Sequence, residues 1–121
     1  MEINLSDITA TIKAELGLTC KIAIKRVPPC EMRYNDGRCE KERKGYTVLI
    51  NEYIHDGTRV LELVAHELRH VWQWETNFKM GLKDNFASKA DYDNAPEELD
   101  ANTYAASVVA RYADNKICYW R

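Results

Sequence analysis

The chain has 121 residues, of which 45% are hydrophobic and 30% charged, and its formal net charge is −2. This length suits one compact domain with a hydrophobic core and is too short for two. The charge provides no basic surface for nucleic acid or an anionic membrane, and no apolar run approaches transmembrane length. Residues 1–16 lack the continuous apolar core of a signal peptide, so we expect a cytoplasmic protein.

The first predicted element is a helix over residues 6–16. Ser6 or Asp7 can cap it, isoleucines and leucine recur at helical spacing, and Gly17 ends it. Apolar and polar residues then alternate over residues 21–27, which predicts a strand that two prolines terminate.

A charged stretch over residues 31–44 follows, and it predicts an exposed hairpin or loop with its turn near Asp36-Gly37. Residues 46–51 are rich in β-forming side chains and predict a second strand. The hairpin register would place Cys39 opposite Tyr34, so a Cys30–Cys39 disulfide would be out of register.

The four cysteines contain no Cys-x-x-Cys pair, which argues against a structural zinc site built from them. Without a secretion signal we expect reduced thiols, although an even number would also permit disulfides in an exported protein.

The longest predicted helix begins near Asp56-Gly57 and runs to about residue 77. Its predicted apolar face consists of Val60, Leu61, Val64, Leu68 and Val71. A neighbouring stripe carries His66, His70 and Gln73, which can face a cleft, whereas Arg69 is expected in solvent. A polar connection over residues 77–94 precedes a final helix that has Pro96 in its first turn.

The stripe contains the most informative pattern in the chain, His66-Glu67-Leu68-Arg69-His70. Residues four apart lie one turn apart on a helix, so the two histidines can bind one metal ion together. Glu67 can then take a proton from a water molecule bound to that ion. This is the HExxH arrangement of zinc metallopeptidases.

A catalytic zinc site usually has three protein ligands. No histidine follows His70 in this sequence, so the third ligand is not a later histidine. The chain has only three histidines, and His55 stands before the helix. A carboxylate is therefore expected, and the final helix offers Glu97, Glu98 and Asp100.

Together with HExxH, the sequence Glu98-Leu-Asp-Ala-Asn102-Thr-Tyr-Ala105 resembles the glutamate-ligand zincins (gluzincins), and in particular small zincin-like peptidases of the ImmA/IrrE type. The resemblance covers roughly residues 46–110. It implies an α+β, minimal zincin-like fold for residues 1–121, with a small, mainly antiparallel sheet packed on the HExxH helix and on a C-terminal ligand helix. Residues 46–51 would be the edge strand that lines the cleft.

The resemblance also implies a Zn²⁺ ion held by His66, His70 and Glu98, with Asn102 accepting a hydrogen bond from a ligating histidine. Many gluzincins have Asp at that position, and an amide lacks its charge. Glu98 shares a helix face with Asn102, whereas Glu97 and Asp100 are followed one turn later by Ala101 and Tyr104. This favours Glu98 and leaves the other two as alternatives.

The function implied is hydrolysis of peptide bonds by zinc-activated water, with Glu67 as general base and a restricted protein or peptide substrate. A catalytically silent zinc-binding module for protein interactions is the alternative, and a metal-free helical protein is a third reading. Gln73 is a candidate for contact with substrate or with a side chain that ligates the metal, and Tyr92 for a hydrogen bond to a developing oxyanion, although each also suits an ordinary polar or surface position. The sequence does not specify an oligomeric state.

Overall fold

The computed structural model describes residues 2–32, 36–76 and 95–118. Within them the chain forms an α+β structure with three α-helices, five short strands and a one-turn 3₁₀ helix, Pro29–Met32. The helices are α1 (Leu5–Glu15), α2 (Gly57–Glu75) and α3 (Pro96–Arg111). The strands are β1 (Glu2–Asn4), β2 (Lys21–Val27), β3 (Gly37–Glu42), β4 (Gly45–Asn51) and β5 (Lys116–Cys118). The predicted connection over residues 77–94 lies outside the described residues.

Local capping determines where the helices begin. Asn4 caps α1, and its side chain accepts a hydrogen bond of 2.7 Å from the backbone N–H of Ser6. The prediction of Ser6 or Asp7 as cap was wrong because the helix already starts at residue 5. Asp56 caps α2 as expected, and Pro96 occupies the first turn of α3, where its missing N–H costs no hydrogen bond.

The main sheet has the strand order β2-β4-β3, with β2 parallel and β3 antiparallel to β4. A second sheet consists of β1 and β5, paired in parallel. The prediction of a mainly antiparallel sheet was therefore wrong, and both sheets together are mixed. After β2 the chain crosses to the far edge before β4 fills the centre, so residues 46–51 form the central strand and β3 the edge.

The turn of the hairpin also differs from the prediction. It occupies residues 43–44 between β3 and β4, whereas the predicted turn at residues 36–37 lies where β3 begins. Gly45 follows the turn with φ of 157°, and a Cβ there would lie 2.1 Å from the Lys21 carbonyl oxygen. Glycine at this position therefore allows β2 to approach β4.

The core lies between the inner face of the main sheet and α2, which packs against both other helices. All five residues of the predicted apolar face of α2 are buried. The Glu15 carboxylate ties α1 to α3 by accepting hydrogen bonds from Tyr104 at 2.8 Å and Arg111 at 2.6 Å. None of the helices in the described ranges has both the length and the apolarity needed to span a bilayer.

The four thiols are free. Cys39 lies on β3 opposite Val48 of β4, because the hairpin turn lies later in the chain than predicted. Burial raises the pKa of the Cys39 thiol, so this residue behaves as a small apolar side chain.

Candidate metal centre

Two helices bring three ligand side chains together: His66 and His70 come from α2, and Glu98 comes from the first turn of α3. The Nε2 atoms of the histidines lie 3.1 Å apart. Glu98 Oε1 lies 3.2 Å from His66 Nε2, and Glu98 Oε2 lies 2.8 Å from His70 Nε2. This group could hold a metal ion.

The spacing of these atoms fits a tetrahedral ion. Ligand atoms about 2.0–2.1 Å from such an ion lie about 3.3 Å from one another. The two histidine Nε2 atoms, 3.1 Å apart, are close to this value, and each carboxylate oxygen of Glu98 lies within 3.2 Å of one of them. Two imidazoles and a carboxylate suit zinc and several other transition metals, and within the described residues the group has three members, which leaves a fourth position open.

Charge pairing holds the three ligands together. Burial alone would raise the pKa of Glu98, but hydrogen bonds from His66 and His70 outweigh it and lower that pKa to about 2. Burial would likewise lower the pKa of His70, yet its hydrogen bond to Glu98 and the carboxylate charge raise it to about 9.

Glu67 lies beside the triad with only 7% of its surface exposed. Burial raises the pKa of its carboxyl group, although the neighbouring histidines partly oppose this effect. A Cβ on Gly37 would lie 3.2 Å from the Leu63 side chain and 3.7 Å from Glu67 Oε1. The start of β3 thus passes close to Glu67, and the missing side chain leaves space in front of its carboxylate.

A cleft of about 400 Å³ opens over the triad between α2, α3 and the start of β3. His66, Glu67 and Glu98 line it, together with Asn102. At its rim, Arg59 of α2 bonds to Asp36 at 3.1 Å and to its own-helix neighbour Glu62. The strand beside the cleft is β3 and not β4. The prediction that residues 46–51 form the edge strand lining the cleft was therefore wrong.

The contacts predicted for Gln73 were with substrate or with a side chain that ligates the metal, and Gln73 lies beside His70. Gln73 is 1% exposed and lies behind His70, where its Oε1 is 2.8 Å from His70 Nδ1. It therefore contacts a ligand and not the open cleft. Asn102 is exposed on the cleft wall, and its role as acceptor for a ligating histidine stays a prediction.

Arg69 and Asp100 form an ion pair that the sequence did not indicate. Arg69 donates hydrogen bonds of 2.8 and 3.1 Å to the Asp100 carboxylate, and its guanidinium lies 3.8 Å over the Trp72 ring. The expectation of a solvated Arg69 was wrong because α3 packs beside it. Burial would raise the pKa of Asp100, but hydrogen bonds from Arg69 and Gln73 lower it overall.

The other predicted residues have different positions. Glu97 is buried, but its carboxylate is not part of the ligand group, and its backbone carbonyl accepts a hydrogen bond from Gln73. Trp74 stacks between His70 and Tyr46, with ring centroids 6.2 and 5.7 Å away. Tyr92 lies outside the described residues.

Comparisons with known proteins identify no relative. No protein-family model matches the chain, and neither a curated protein nor a solved structure is detectably similar to it.

Proposed function

We propose that the chain is a zinc-dependent metallopeptidase with a minimal zincin-like fold, acting on a restricted protein or peptide substrate. The observation that carries this proposal is the convergence of His66, His70 and Glu98 beside the buried carboxylate of Glu67, with His66, Glu67 and Glu98 lining a cleft. The HExxH spacing favours zinc among the metals that suit this donor set.

In this proposal His66, His70 and Glu98 would hold zinc, which would supply Lewis acidity and lower the pKa of the water molecule that attacks the peptide carbonyl carbon to about 7. Glu67 accepts the proton of that water and then delivers it to the leaving amine.

The position of β3 supports an extended peptide as substrate. Among the described residues β3 pairs only with β4 and forms an edge of the sheet, and its first residue, Gly37, lines the cleft. Backbone groups on such an edge can pair with an added strand. Gly37 brings the backbone of β3 close to Glu67, since a Cβ there would lie 3.7 Å from Glu67 Oε1.

A catalytically silent zinc-binding module is the competing function, since it would use the same three ligands. It requires no general base and no accessible cleft. A cleft that His66, Glu98 and Glu67 all line therefore favours the peptidase.

The test is the variant Glu67→Gln, assayed for zinc content and for cleavage of a proteome-derived peptide library by mass spectrometry. We expect one zinc per chain in both proteins, and a loss of cleavage of at least about a hundredfold in the variant, the lower range of general acid–base contributions. Glu75→Gln is the matched control, because it removes a carboxylate from the same helix at a residue that bonds to Tyr46.

Equal cleavage by wild type and Glu67→Gln would contradict the peptidase mechanism. A zinc-loaded wild type that cleaves no member of the library and not even a denatured protein would favour the silent module. A wild type without zinc affinity would contradict both.

A further inference from the structure

Gln73 is a buried amide with hydrogen bonds at both ends. Its Nε2 lies 2.8 Å from the Glu97 carbonyl oxygen and 2.9 Å from Asp100 Oδ2, and its Oε1 lies 2.8 Å from His70 Nδ1. It is the only glutamine in the chain and one of few polar residues in the interior.

The partners of Gln73 determine which way its amide points. A backbone carbonyl oxygen can only accept, and the Asp100 oxygens already accept hydrogen bonds from Arg69. Rotating the amide by 180° would place Oε1 against two acceptors and leave Nε2 facing His70. Only the orientation with Nε2 toward α3 satisfies both ends.

This orientation in turn determines the proton position on His70. Since Gln73 Oε1 is an acceptor, His70 Nδ1 must carry a hydrogen and donate it. The lone pair available to a metal is then on Nε2, the atom that lies 2.8 Å from Glu98 and 3.1 Å from His66 Nε2.

We propose that Gln73 is a positioning residue for the metal centre: it selects the His70 tautomer that presents Nε2 to the ion, and α3 holds it in the required orientation. The inference rests on the proposed zinc site. It goes beyond that site because the hydrogen bond from a ligating histidine, which the family pattern assigns to Asn102, is accepted for His70 by Gln73, a residue of the HExxH helix itself.

The same hydrogen bonds make the site sensitive to the packing of the two helices. Arg69 and Gln73 both belong to α2, and both bond to Asp100 of α3, which lies two residues after the ligand Glu98. The contacts that orient His70 therefore also position Glu98. Because the three ligands come from two helices, they meet only when α2 and α3 are packed against each other as described.

The test measures zinc affinity by competition with a chromophoric chelator in wild type, Gln73→Met and Tyr46→Phe. Methionine keeps the length of the side chain and removes both hydrogen-bonding ends. We expect Gln73→Met to weaken zinc binding by about 10- to 100-fold, as for other residues that orient ligands. Tyr46→Phe is the control, because it removes one hydrogen bond between the sheet and α2, to Glu75, and keeps the ring that stacks on Trp74. It should bind zinc as wild type does.

A second measurement is independent of whether Gln73→Met folds. Long-range ¹H–¹⁵N NMR of the zinc-loaded wild type should show His70 protonated at Nδ1, with slow exchange of that proton, and bound through Nε2. The exposed His55 provides a reference for rapid exchange.

Binding of zinc through Nδ1 of His70 would overturn the proposal, as would unchanged zinc affinity in a folded Gln73→Met variant. Neither result would affect the proposed function, which fails only if the wild type binds no zinc or has no activity that depends on Glu67.

Discussion

Two neighbouring carboxylates lie at the start of α3, and the direction of each side chain determines whether it can be a metal ligand. Glu97 and Glu98 both suit a first helical turn, where an acidic side chain complements the helix dipole without any metal. Successive residues differ by about 100° around a helix, and only Glu98 directs its carboxylate at the two histidines.

This difference predicts the effect of removing each carboxylate. Glu98→Ala should lower zinc binding to a small fraction of one equivalent, because it leaves two ligands. Glu97→Ala should keep about one equivalent, because it removes no ligand. Metal analysis of both variants after purification without chelator checks this. Full zinc occupancy in Glu98→Ala, or its loss only in Glu97→Ala, would show that the ligand is assigned wrongly.

The part of the site that lies on a single helix could be predicted from the sequence. His66, Glu67 and His70 lie within two turns, so their spacing defines their relative positions. The surroundings of Gln73 and Arg69 could not be predicted in this way. Their partners belong to α3, 24 and 31 residues later in the chain, and only tertiary packing brings them close.

At the scale of elements, local signals located the helices and tertiary pairing determined the sheet. Asp56 and Pro96 mark helix starts in the sequence, and both helices begin there. The pairing of β1 with β5 joins residues 2–4 to residues 116–118, and such distant pairs leave no local pattern. The hairpin turn at residues 43–44 contains Arg and Lys, whereas the stronger turn signal at residues 36–37 lies where a strand begins.

Gly45 provides a prediction about the main sheet. Gly45→Ala should destabilise the protein by about 2 kcal/mol or more, because the new Cβ would lie 2.1 Å from the Lys21 carbonyl oxygen and force β2 away from β4. Urea unfolding monitored by circular dichroism measures the effect.

Gly17→Ala is the matched control for that substitution. Gly17 has φ of 67° with no heavy atom within 4 Å of a new Cβ, so it should cost only the 1–2 kcal/mol or so of a left-handed backbone. A smaller loss of stability at Gly45 than at Gly17 would show that β2 and β4 do not approach each other as described.

At the scale of the whole molecule, the ligand triad links metal binding to folding. His66 and His70 belong to α2 and Glu98 to α3, so an unfolded chain does not present the three together. A ligand that binds only the native state stabilises it in proportion to the logarithm of its concentration.

We therefore expect zinc at a hundred times its dissociation constant to raise the free energy of unfolding by about 2.7 kcal/mol. Thermal melts at several zinc concentrations measure the shift, and Mg²⁺, which prefers oxygen ligands in an octahedral arrangement, provides the control. A melting temperature that zinc leaves unchanged in wild type, or raises equally in Glu98→Ala, would contradict the linkage.

The parallel pairing of β1 with β5 places Glu2 beside Lys116 and Asn4 beside Cys118. The two ends of the described chain are therefore neighbours, and a short linker could join them. A circular permutant opened at the exposed turn of residues 43–44 would then keep α2, α3 and the connection between them in one uninterrupted segment. The residues of the metal centre would lie in the first half of such a chain, which would begin just before β4 and end just after β3.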